Sequence, residues 1–146
     1  RDGFHLVCRA DHPLAQRPAV RSRTKTGKGA AGAIALQDLA AWPFVHLART
    51  SSVRQYLEAA FHPQAMNTLM EVEQLATVMG MVRAGLGISV VPTLTLFHFD
   101  QPGLVTRPLA LPGLTRQIYL VRRRERSLSA AAQALYSLVM QRRPAE

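Results

Sequence analysis

Hydrophobic and polar positions alternate over residues 4–9, with Phe4, Leu6 and Cys8 on one side and His5, Val7 and Arg9 on the other. A period of two predicts a strand. Asp11-His12-Pro13 ends it, because proline has no N–H for a sheet ladder. Leu36 to Ala40 reads as a short helical turn and Phe44 to Leu47 as a strand. Thr50-Ser51-Ser52 then offers N-cap chemistry. A helix follows with Val53, Tyr56, Leu57, Ala60 and Phe61 on one face, and His62-Pro63 ends it. Thr68 to Val72 is the next strand. Leu75, Val78, Met79 and Val82 form a second helical stripe, closed by Gly85. Ile88 to Val91 predicts a buried strand, stopped by Pro92. Residues 93–116 read as loop around a strand at Leu104 to Leu109. Gln117 to Arg122 predicts one more strand. A last helix carries Leu128, Ala131, Leu135, Leu138 and Val139, with Ser127 or Ser129 as its cap. Arg142 and Arg143 suit its C-terminal dipole, and Pro144 stops it. Strands alternating with amphipathic helices predict an α/β architecture. There is no internal repeat.

Composition narrows this reading. The 146 residues suit one domain, and a 48% hydrophobic content suffices for a core. No apolar run reaches the roughly 18 residues of a membrane span, and no signal peptide opens the chain. Position 1 is Arg, not Met, so the natural protein is expected to extend upstream. The single cysteine, Cys8, excludes an internal disulfide and suits a reducing cytoplasm. The net charge is +9 and the pI about 11.2. Two clusters concentrate it: Arg21, Arg23, Lys25 and Lys28, and Arg122, Arg123, Arg124 and Arg126 around Glu125. Both readings of them stay open, a solvated surface or a contact with phosphates. Residues 21–33, basic and rich in Gly and Ala, predict a mobile loop.

The order of these motifs resembles the C-terminal half of LysR-type transcription regulators. The matching segments are Phe4 to Ala15, Leu36 to Val45, Ser51 to Phe61, Glu71 to Pro92 and Arg116 to Leu135. The fourth is the most specific: strand, helix, Gly-x-Gly turn, strand and Pro follow in the family's spacing. The resemblance implies a periplasmic-binding-protein-like (type II) fold of two α/β subdomains joined by crossing strands. Residues 1–8 would be a crossing strand from a partial first subdomain. Residues 9–116 would be a complete second subdomain, with 21–33 as an insertion. Residues 117–146 would be the return strand and the C-terminal helix of the first.

The resemblance places the loop Thr50, Ser51 and Ser52 in the effector cleft. A helix start directly after a strand offers free N–H groups to an anion, so a carboxylate-bearing metabolite is the expected ligand; plain capping is the alternative. Val72 and Leu75 face the same cleft by resemblance, while periodicity assigns Leu75 to the core. Glu71 and Glu73 disfavour an anion at that end.

Several other signals fail. Residues 73–92 have near helix-turn-helix spacing, but Gly85 to Val91 is a poor helix and a good turn and strand. KTGKG at Lys25 to Gly29 lacks the Walker pattern. The five histidines (5, 12, 46, 62 and 98) share no metal-ligand spacing, so structural or surface roles are expected, and no metal or other cofactor. Cys8 reads as core. No catalytic constellation survives, so no enzyme is expected. The expectation is an effector-sensing fragment of a cytoplasmic regulator, binding a small molecule, self-associating, and reaching DNA through a winged helix-turn-helix outside this chain. Two alternatives stay open: a solute-binding protein of the same fold, and a non-specific nucleic-acid binder.

Overall fold

The computed structural model describes residues 2–17, 34–109 and 115–142. The predicted insertion at 21–33 lies outside them. The chain divides into two compact units, one from Asp2 to Arg116 and one built mainly of Gln117 onward.

The first unit is organised by β1 (Phe4–Arg9), which pairs antiparallel with both β4 (Ser89–Pro92) and β5 (Leu104–Pro108). β2 (Phe44–Leu47) runs parallel to β3 (Thr68–Val72). The two ladders join where the Val45 N–H donates to the Ile88 carbonyl and the Ile88 N–H to the Pro43 carbonyl, both at 2.9 Å. The buried Ser89 hydroxyl adds a bond to the Val45 carbonyl. The resulting order is β3-β2-β4-β1-β5. Gly87 permits this joint, since a Cβ there would lie 2.3 Å from the Pro43 carbonyl oxygen.

Both faces of the sheet are covered. Phe4, Leu6, Cys8, Phe44 and Val90 pack with Val53, Leu57 and Phe61 of α2 (Ser52–Phe61). Val7, Val45 and Val91 pack on the other face with Val78 and Val82 of α3 (Leu75–Arg83). The alternation in β1 therefore separates two cores, not a core from solvent. Gly85, at φ +84°, ends α3 in the left-handed region that glycine enters without steric cost.

Two short elements escaped the sequence pattern. A one-turn helix, α1 (Pro13–Gln16), follows β1, with Pro at its start and His12 Nδ1 accepting the Leu14 N–H. A 3₁₀ helix, Thr93–His98, occupies part of the expected loop. The expected turn at Leu36 is a 3₁₀ helix, Leu36–Leu39.

The second unit corrects an expectation. Gln117 to Arg122 forms no strand; residues 117–123 have no regular structure. Their side chains suit a strand, but no ladder partner among the described residues engages their backbone. A helix, α4 (Ala130–Gln141), follows, and Ser129 caps it by accepting the Ala132 N–H. None of its described residues is buried.

Candidate functional site

In a sheet with parallel strands, ligands settle at the carboxyl ends. Here β2, β3 and β4 all end on one edge. Beyond β2 the chain turns tightly: the Ala48 N–H donates to the Val72 carbonyl (3.0 Å) and the Ser51 N–H to the Ala48 carbonyl (2.8 Å). Those two bonds bring the Thr50–Ser52 turn and the end of β3 together. Of the five expected site residues, Thr50 and Ser52 are exposed, and Ser51, Val72 and Leu75 are half-buried. Val72 and Leu75 also pack against the second core, so the core reading of Leu75 holds and Val72 shares it.

Ser51 occupies the N-cap position of α2, yet no side chain caps that helix. The expected capping bond is absent, and no hydrogen bond to a described residue engages the hydroxyls of this turn. Gln74, at the N-cap of α3, gives that helix no side-chain cap either, and Glu71 and Glu73 stand just before it. The partial positive charge at the start of α2 thus faces no acidic residue in its first turn.

Behind this turn lies a polar cluster that the pattern analysis overlooked. Arg54, only 4% exposed, sits on the buried face of α2. Its Nε donates to Glu58 (2.8 Å) and its Nη2 to Thr68 Oγ1 (3.3 Å), with Glu71 at 3.6 Å. The same Glu71 oxygen, Oε1, also accepts from Arg49 Nε (3.3 Å). Arg54 holds the Glu58 carboxyl below its ordinary pKa. The i, i+4 spacing of Arg54 and Glu58 was the available signal. His46 is also buried, stacked on Phe44 with ring centroids 4.8 Å apart. Burial, reinforced by the Arg54 charge and opposed by Glu58, pushes His46 down to about 4, so its ring is neutral near pH 7. His46 Nε2 and Arg54 Nη1 are buried without a hydrogen-bond partner among the described residues. The cluster braces α2 against β2 and β3 and so fixes where the Thr50–Ser52 turn sits.

Cys8 is fully buried, and burial pushes its thiol up to about 11, against nucleophilic or redox use. No group of three potential metal ligands occurs among the described residues, and no helix among them is long and apolar enough to cross a membrane. Two shallow hollows, of about 340 and 300 Å³, lie at Leu96–Thr106 and at Arg9–Gly87; neither includes any of the five residues.

Comparison with known proteins gives the fold its context. The family described as the LysR substrate binding domain matches residues 28–144. The uncharacterized HTH-type transcriptional regulator YbhD of Escherichia coli (strain K12) is 31% identical over 139 residues, 94% of this chain and 39% of its own length. The transcriptional activator protein LysR of the same organism is 38% identical over 93 residues, 62% of this chain and 30% of its own. This chain therefore spans about two fifths or less of these relatives. Among solved structures, the effector binding domain of QuiR in complex with shikimate superposes with a TM-score of 0.74 at 21% identity, covering 96% of this chain and 60% of that one. The regulatory domain of CcmR from Synechocystis PCC6803, in complex with 2-PG, gives 0.65 at 18% identity, covering 96% and 62%.

Proposed function

Because this chain belongs to the LysR substrate-binding domain family, we propose that it is the sensing part of a cytoplasmic transcription regulator, not an enzyme, and that it binds a small anionic metabolite at the carboxyl edge of its sheet. Thr50, Ser51 and Ser52 supply hydroxyls and the free N–H groups of the α2 start, and Val72 and Leu75 supply an apolar floor. Residues 9–116 act as the second regulatory subdomain, entered through residues 1–8. Residues 117–146 belong to the first subdomain, and DNA is read by a winged helix-turn-helix elsewhere in the whole protein.

The observation that carries this reading is the turn itself: a helix start without a side-chain cap, tied to the end of the neighbouring strand. Two neighbours bound to small acids, shikimate and 2-PG, favour an anion. An effector that contacts both subdomains stabilises the closed arrangement by its differential affinity, and that bias reaches the DNA-binding domains. Relatives named as HTH-type regulators favour this over a free-standing solute-binding protein.

Ser52→Glu separates the roles of the helix start. A carboxylate there suits the helix dipole, by roughly 0.3–1 kcal/mol, but repels an anionic ligand. Thermal unfolding should rise or hold while calorimetric binding of small carboxylates disappears. Undiminished binding in the folded variant contradicts the proposed site.

A further inference from the structure

Two sets of arginines among the described residues stand in opposite surroundings. Arg9, Arg17, Arg49, Arg54 and Arg116 each face a carboxylate: Asp11, Asp38, Glu71, Glu58 and Asp2. Arg122, Arg123, Arg124 and Arg126 face none among the described residues, although Glu125 stands among them, and all four are exposed. They lie on the segment and turn that lead into α4. The Arg122 guanidinium sits 5.3 Å over the Tyr136 ring, so its base is held by α4 and not left to swing in solvent.

We propose that this arginine turn is a second contact surface, for the phosphate backbone of duplex DNA. Guanidinium groups match phosphate oxygens in a bidentate fork, which an ammonium cannot do. Five residues extend at most about 17 Å. One DNA strand presents a phosphate every 3.4 Å or so along the helix axis, so the turn can reach about two to four of them. Such contact carries no sequence information. A bilayer surface is the competing partner, but an interfacial helix carries Lys or Arg on its own polar face. α4, from Ala130 to Gln141, has no charged residue. The proposal does not depend on the effector site, which lies in the other unit.

The test is fluorescence anisotropy of the chain with two unrelated labelled duplexes, between about 50 and 200 mM salt. One variant carries Arg122→Gln, Arg123→Gln, Arg124→Gln and Arg126→Gln. A control carries Arg21→Gln, Arg23→Gln, Lys25→Gln and Lys28→Gln. Wild type should bind both duplexes equally, and affinity should fall steeply with salt. The turn variant should bind at least tenfold more weakly at low salt, with a log–log salt slope shallower by about 2 to 4. Its thermal unfolding should lie within a few degrees of wild type, because the replaced side chains are exposed and the Arg122–Tyr136 contact is the one lost among the described residues. Four results overturn the proposal: no DNA binding by wild type, a loss found only in the control, discrimination between the duplexes, or binding to phosphatidylserine vesicles without binding to DNA.

Discussion

β1 and the segment Ile118–Val121 carry similar strand-forming side chains and meet opposite fates. Phe4, Leu6, Val7 and Cys8 are at most 5% exposed, whereas Ile118, Tyr119, Leu120 and Val121 are 52 to 84% exposed. β1 has a ladder on each side and a helix layer over each face. The later segment has none of these among the described residues. The same contrast holds for helices: α2 and α3 bury aliphatic residues against the sheet, while Leu135, Leu138, Val139 and Met140 of α4 stay 45% or more exposed. Propensity nominates an element, but burial against a partner decides whether it contributes stability.

The largest effect should come from cutting into the buried side of this contrast. Leu6→Ala should cost about 2–5 kcal/mol, and Leu135→Ala within about 0.5 kcal/mol, in urea unfolding of the dilute, unassociated chain. Equal losses there would mean that α4 is packed within its own chain.

Acid should act next, again only on the first unit. The pKa of His46 is lowered on folding, from an ordinary 6.5 to about 4. Between those values the unfolded chain binds more protons than the folded one. The stabilising effect is therefore fully present above pH 6.5 and is lost as pH falls towards 4, on the order of 3 kcal/mol. His46→Gln should flatten that part of the stability profile. An unchanged slope would place the titration elsewhere.

The exposed region should show its character in assembly. We expect that self-association goes through α4, since an exposed apolar helix face is a site for it. Sedimentation should show concentration-dependent association that Leu135→Glu with Leu138→Glu abolishes. A wild type that stays monomeric at high concentration, matched by the variant, contradicts this.

How much was legible in the sequence follows the same division. The segment Glu71–Pro92 was readable because its period changes and its Gly85 each have one structural meaning. β1 showed its alternation but not that both faces are buried, because period two reports sides and not what covers them. Gln117–Arg122 read as a strand because the pattern carries no information about a missing partner. Thr93–His98 was hidden by β-branched and aromatic residues that do not advertise a helix. At the site, the Ser and Thr residues were visible by type and position. The buried His46 and Arg54 behind them were not, since burial of a polar side chain depends on partners from distant segments, here Thr68 and Glu71.

The central claim is that the carboxyl edge of the sheet, and neither shallow hollow, receives the effector. Backbone NMR of the chain, titrated with shikimate and with 2-phosphoglycolate, tests it most directly. The account predicts that a binding acid, even a weak one, shifts the amides of Thr50–Ser52 and Val72–Leu75 first and furthest. Leading shifts among residues 96–106, or around Arg9 and Gly87, would contradict it.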